Sequence, residues 1–380
     1  MATKINVRSP YFLRFTYSGL SYVNLTLTIW DGTEGTPSGE TEYTFTKSVI
    51  GSNDYVIFEV ADYIRDVIAT EYGNGAQTTN AVWVDWSASL YDGSPTPVLL
   101  ATQTTSSQIE DTVLAVDGYG YFEDGLHPNH SNDLLQDNTD IYYLDGRDIV
   151  FAVWDEGVTN VSIDGASVPA VYWEQVSDYW DEYVATWESG ATDQAIGDST
   201  DSSNKIVYVK ITDTDQFADT ETITITKADL STITLTLHKV CEPKYTPYKA
   251  IFYNRHGAMQ DLWFFKRSDK TLSVSGDTFK RNIIDFSSTP TYNTSKHQIK
   301  SFNLNGIEQI KLNTGFLPEN FNEIIQQLIL AEEVWLDNGT QVLPVRPVTD
   351  SLRFKQSVND KLISYEMDFE YAYDKINNIR

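Results

Sequence analysis

The chain of 380 residues is 41% hydrophobic and 13% aromatic, with 23 Tyr and 17 Phe, which excludes a solvated, disordered polymer despite a net charge of -27. At about 100–200 residues per domain, the length predicts two or three domains. Residues 1–242 hold 10 Lys/Arg against 38 Asp/Glu, whereas residues 243–380 hold 17 against 16. Nucleic acid is therefore excluded as a partner of the acidic part, which lacks the clustered cations that phosphates require.

Residues 1–111 read as a β-sandwich domain of immunoglobulin or fibronectin type. YFLRFTYSG, YVNLTLTIWDG, TEYTFTKSV, YVIFEV and AVWVDWSASLYDG are β-branched and aromatic, alternate apolar with polar positions, and end in Gly, Asn, Asp or Pro. In YVNLTLTIW the apolar set Tyr22, Leu25, Leu27 and Ile29 marks one buried face. One helical insert, ADYIRDVIATEY, puts Ile64, Val67 and Ile68 on one side.

Residues 112–242 read as a second, acidic β-sandwich-like domain. Its strands are DIVFAVWD, TNVSIDG, AVYWEQ and KIVYVKI, followed by the hairpin TETITIT-KADLS-TITLTLHK with Ile223, Ile225, Ile233, Leu235 and Leu237 on its inner face. The prolines of CEPKYTPYK and the change in charge balance set the next boundary. Residues 243–380 read as an α+β domain with one main helix after Gly315, where Pro318 suits the first turn and Phe321, Ile324, Ile325 and Leu328 recur at helical spacing. Asn338-Gly339 signals one hairpin, and SLRFKQS-VND-KLISYEMDFEYAYDK a second. In the last strand Ile363, Tyr365, Met367, Phe369 and Tyr371 form a buried face, opposite an acidic one of Glu366, Asp368 and Glu370.

The fingerprints of common catalysis are absent: there is no GxxxxGK[ST], no strand-borne GxGxxG, no GxSxG and no HExxH. The reading is a non-enzyme without metal or cofactor. His127 and His130 sit in a Pro/Asn loop rather than on a helix that aims both at one ion, and Asp213, Asp215 and Asp219 lack the glycine and terminal glutamate of a calcium loop. Cys241, the sole cysteine, reads as a small buried hydrophobe and closes no internal disulfide. The opening MATKINVRSPYFLRF lacks a signal-peptide core, and no apolar run of about 18 residues occurs, so folding in a cytoplasm and no membrane contact are expected.

Two groups of side chains are candidate binding residues. Trp173, Tyr179, Trp180, Tyr183 and Trp187, mixed with Glu174, Asp178, Asp181 and Glu182, combine rings that stack on sugars with carboxylates that accept hydroxyl protons. A core strand followed by an aromatic protein-contact loop explains the same residues. In YKAIFYNRHGAMQDLWFF, strand-like IFYN and LWFFKRS flank RHGAMQD, where Gly257 permits a turn. Arg255 and His256 have no acid at a fixed offset to orient them as a base, so the segment predicts a hairpin, with Arg255, His256, Trp263 and Phe264 as candidate assembly contacts.

YNRHGAMQDLWFFKRS, together with the stretch from LNTGFLPENF to YDKINNIR, resembles virion structural proteins of tailed bacteriophages of marine or Bacteroidetes hosts, and INVRSPYFLRF is similar to openings of such proteins. The resemblance carries no catalytic residues. It implies a multi-copy component of the tail, neck or baseplate, a homo-oligomer in contact with other virion structural proteins, assembled in the bacterial cytoplasm and located in the virion. The near-neutral C-terminal domain suits the assembly contact, because copies that met through a strongly acidic surface repel one another, and the acidic part is then expected to face outward. The alternative is a carbohydrate- or receptor-binding adhesion protein that holds a host surface glycan through residues 173–187. A hydrolase with paired carboxylates in a cleft is the third class.

Overall fold

The structure, a computed structural model, describes residues 3–68, 81–105, 112–125, 133–154, 158–163, 166–167, 170–172, 206–211, 220–240, 244–286, 288–349 and 362–376. It is mainly β, with sandwich-like packing of sheets and one main helix near the C-terminus. The chain divides into two compact units, Met1–Glu242 with Phe252–Asp261, and Pro243–Ile251 with Leu262–Arg380.

The first unit opens with β1 (Thr3–Asn6), β2 (Phe12–Thr16), β3 (Tyr22–Trp30), β4 (Thr41–Ser48), β5 (Tyr55–Glu59), α1 (Ala61–Arg65), β6 (Ala81–Tyr91), β7 (Leu99–Thr104) and β8 (Val113–Val116). Strands β1-β8-β6-β3-β4, with β7 also on β6, form one sheet, and β2-β5 form another. Their apolar faces share a core in which Phe15 of β2 meets Trp86 of β6 edge-on at 5.2 Å and Phe58 of β5 at 5.9 Å. The period of two in β3 holds, shifted at its start. Val23, Leu25, Leu27 and Ile29 are buried, while Tyr22 lies on the opposite face and stacks on Tyr91, its cross-strand partner, at 4.9 Å. The helical insert is short, with Ile64 buried and Val67 and Ile68 packed against the core. The boundary expected at 111/112 moves to after Val116, because β8 completes the first sheet by pairing parallel with β1 and antiparallel with β6.

The second sandwich uses β9 (Asp140–Leu144), β10 (Ile149–Trp154), β11 (Val158–Ile163), β12 (Ala166–Ser167), β13 (Ala170–Tyr172), β14 (Ile206–Ile211), β15 (Thr220–Lys227) and β16 (Thr232–Val240). The sheets β10-β14-β13 and β12-β11-β15-β16-β9 pack their inner faces together. The β15-β16 hairpin sets Ile223 opposite Leu235 and Ile225 opposite Ile233, so its apolar residues share the face expected from their alternation.

In the C-terminal third come β17 (Tyr248–Tyr253), β18 (Met259–Phe264), β19 (Asp269–Lys280), β20 (Ile284–Asp285), β21 (Thr291–Tyr292), β22 (Ile299–Pro318), α2 (Asn322–Leu330), β23 (Val334–Asp337), β24 (Val342–Pro347) and β25 (Leu362–Tyr371). A seven-stranded sheet runs β18-β17-β23-β24-β25-β22-β19. Pro318 ends β22 in an extended conformation instead of opening the helix; a 3-10 turn, Glu319–Phe321, precedes α2, and Phe321, Ile324, Ile325 and Leu328 are all buried. Asn338 shapes the β23-β24 turn, its side-chain oxygen accepting from the N–H groups of Thr340 and Gln341. The partner strand expected for β25 at 351–357 lies outside the described residues; β25 pairs with β22 and β24.

Phe15 offers a direct check of the first core. Phe15→Ala is expected to lower stability by about 3–5 kcal/mol in urea denaturation. Phe12→Ala, at a half-exposed position of the same strand, is expected to change it by no more than about 0.5 kcal/mol.

Candidate functional site

The RHGA segment is a hairpin turn, as its glycine predicts, and it is an internal fastening rather than a surface. Asn254 organises it. Its side-chain oxygen accepts from the N–H groups of His256 (2.9 Å) and Ala258 (3.2 Å), and its amide donates to the Leu135 carbonyl (2.7 Å) and to Gln260 (3.0 Å). Gly257 adopts φ 75, and a Cβ there meets Val116 Cβ at 3.1 Å and the Asp117 nitrogen at 3.2 Å, so both backbone sterics and space demand glycine. Beside it the N–H of Tyr119 donates to the Arg255 carbonyl (2.9 Å), and that of Met259 to the Tyr208 hydroxyl (3.1 Å). The tip therefore ties the end of the first sandwich, at 116–119, to the second, at Leu135 and Tyr208.

Arg255 and His256 converge on one acid. His256 Nε2 lies 3.2 Å from Asp137 Oδ1, and Arg255 lies 3.7 Å from Asp137 and 3.9 Å from Asp124, with its guanidinium over the Tyr121 ring. The orienting acid that no local spacing supplied arrives from residues more than a hundred positions earlier. His256 is buried, and Trp263 and Phe264 lie inside the second unit, Trp263 stacked on Phe265 at 5.8 Å and Phe264 edge-on to Phe369 at 5.7 Å. Of the residues expected at an assembly surface, His256, Trp263 and Phe264 are buried within the monomer, while Arg255 stays partly exposed beside Asp137 and Asp124.

A different element of the second unit is unsatisfied. The sheet's pairing of β22 with β25 ends at Gln309 opposite Glu370, whereas β19 and β22 continue together out to Lys280 opposite Ile299. Residues 272–280 and 299–308 thus form a two-stranded ribbon about 30 Å long with no third strand among the described residues. Leu272, Val274, Phe279, Ile299, Phe302 and Leu304 are 45–64% exposed, while Ile307 at the root is partly buried. Leu272 and Leu304 lie on one face, each over a glycine of the other strand, Gly306 and Gly276, with Val274 beside them. Phe279 and Phe302 meet edge-on at 5.7 Å on the other face, after a register shift that Asn303 accommodates with φ 51. Ile284, Phe286 and Tyr292 add exposed apolar surface at the tip.

The root of the ribbon is braced by charge. Glu308 accepts from Lys375 at 2.5 Å and lies 3.8 Å from Lys270. One register step further in, Glu370 sits directly opposite Gln309 on one side and Arg346 on the other. The Gln309 amide, and then the Arg346 guanidinium, hold the Glu370 carboxyl below its ordinary pKa. Glu370 is therefore buried in a cross-strand network, not part of an open acidic face as its alternation predicts; Glu366 is exposed.

Residues 173–187, His127, His130, Asp213, Asp215, Asp219 and Cys241 lie outside the described residues. Among the described residues no cluster of three or more His, Cys, Asp or Glu could hold a metal ion, and no helix is long and apolar enough to cross a membrane.

No protein-family model matches the chain. No curated protein matches it. Among solved structures, SGBP-B of the Bacteroides ovatus mixed-linkage glucan utilization locus, in complex with a mixed-linkage heptasaccharide, is similar over 83% of this chain and 60% of its own length, at 8% identity and a TM-score of 0.16. Trypsin-activated alpha-2-macroglobulin from Escherichia coli is similar over 84% of this chain and 22% of its own, at 6% identity and a TM-score of 0.20. PcdhgB3 EC1-4 covers 82% and 70%, at 7% identity and a TM-score of 0.14. The chain thus spans less than two thirds of the first two proteins. Likenesses at these scores define no shared topology, and the sandwich character rests on the sheets themselves.

Two outcomes follow from these networks. Asn254→Ala strands two buried N–H groups and the Leu135 carbonyl and is expected to cost about 3 kcal/mol in urea denaturation. For Glu370, a folded pKa below the unfolded one means stability that is present above the ordinary value of 4.5 and lost as the pH falls through the lowered folded value. The stability gap between the native chain and Glu370→Gln, measured from pH 6 down to about 3, is expected to shrink on acidification.

Proposed function

We propose that the protein is a non-catalytic building block that assembles in multiple copies, as a structural component of a tailed-bacteriophage virion, through its C-terminal unit. The observation that carries this reading is the projecting β19-β22 ribbon. An isolated two-stranded hairpin is at best marginally stable in water, and exposed apolar side chains on both of its faces and at its tip are the mark of an element that is completed by a partner. The near balance of 17 Lys/Arg and 16 Asp/Glu in residues 243–380 supports self-association there, since contacts between copies carry little net repulsion. The sequence resemblance to virion structural proteins supports the setting, in the tail, neck or baseplate, with other virion proteins as neighbours. The alternative, a glycan- or receptor-binding adhesion protein, rests on the aromatic and acidic residues at 173–187 and predicts glycan-array binding that is lost in Trp180→Ala.

The register supplies a clean test. Leu272 and Glu308 are directly opposed, so replacing residues 273–307 by Asn-Gly closes the ribbon at its root with a two-residue turn. Light scattering is expected to give a defined oligomer for the full chain and a monomer of unchanged melting temperature for the shortened one. A full chain that stays monomeric across concentrations overturns self-assembly.

A further inference from the structure

We infer that the ribbon of one copy docks on the acidic first unit of a second copy of this chain, a heterologous contact that links copies head to tail. The inference rests on the proposed self-assembly and names the surface that completes it. Residues 272–306 carry Lys280, Arg281, Lys296 and Lys300 against Asp277 and Asp285, so the exposed ribbon is basic, whereas residues 1–242 hold 38 acids against 10 Lys/Arg. A two-fold contact of ribbon on ribbon brings like charges together. A contact of ribbon on acidic unit brings opposite charges together and steers the encounter.

The apolar residues point the same way. Phe279 and Phe302 lie on one face, Leu272 and Leu304 on the other, so a single flat, polar surface leaves half of the ribbon's apolar area in water. The first unit offers apolar surface as well as charge. Ile50, Val98 and Leu99 are half or more exposed at one end of the first sandwich, where the N–H of Val49 donates to the Ser21 carbonyl and that of Ser21 to the Tyr91 carbonyl. Because the donor and acceptor surfaces differ, the contact is not self-limiting at two copies; it generates a ring or a continuing array. The acidic unit is then a receiving surface between copies and not only an outward one, a departure from the expectation drawn from net charge alone: like charge forbids the acidic unit from meeting itself, not from meeting a basic ribbon.

The test uses full-length chains, one population at natural isotope abundance and one labelled with nitrogen-15, mixed before zero-length carbodiimide coupling of amines to carboxylates. Mixed-isotope cross-links from Lys280, Lys296 or Lys300 to acids within residues 1–242 are the expected result. The exposed triple variant Lys280→Glu, Lys296→Glu, Lys300→Glu is expected to weaken association by about tenfold or more, and added salt to weaken the native assembly. Hydrogen exchange on the variant checks that the ribbon still forms. An oligomer whose mixed-isotope links from these lysines go only to residues 243–380, or whose affinity survives the charge reversal with the ribbon intact, overturns the inference and leaves self-assembly standing. A chain that is monomeric with no mixed-isotope links overturns both.

Discussion

The architecture of the first unit turns on one buried side chain, the amide of Asn254. A hairpin tip that enters a protein interior brings backbone N–H and C=O groups with it, and each one left without a partner is costly. Asn254 meets that demand from both ends, accepting from two N–H groups of its own turn and donating to the Leu135 carbonyl of the second sandwich. Gly257 allows the tip to approach Val116 and Asp117 closely, and Arg255 offers its carbonyl to Tyr119. Two sandwiches with separate cores thereby become one compact unit, held by a segment from a distant part of the chain.

The pairing of Arg255 and His256 with Asp137 supports this junction. The carboxylate balances the partly exposed Arg255 guanidinium and lies within hydrogen-bonding distance of the buried His256 imidazole.

The second unit shows the opposite condition. Its sheet buries Phe264 against Phe369 and braces its edge with Glu370 and Glu308, then lets β19 and β22 run on without a third strand among the described residues. The proposed function and the docking of the ribbon both stem from this element: the hairpin tip at Asn254 has its backbone groups paired, whereas the ribbon keeps apolar side chains about half exposed.

Much of this fold was legible. The alternation in 223–237 and 365–371 named the buried faces, and the helical spacing of Phe321, Ile324, Ile325 and Leu328 named the face of α2, because period and polarity reflect local geometry directly. Alternation does not say what lies over a face. LSVSG and FNLNG alternate as a buried strand does, yet their leucines are half exposed, and Glu370 alternates as a surface acid does, yet it is enclosed by Arg346 and Gln309. His256 and Trp263 read as surface contacts for the same reason. The sequence by itself determined the strand-rich class, the acidic and neutral halves, the turn at Gly257 and the helix. Only the tertiary structure decided that the turn is a buried fastening, that 113–116 belongs to the first sheet, and that the ribbon pairs with no third strand among the described residues, because each depends on what distant segments bring alongside.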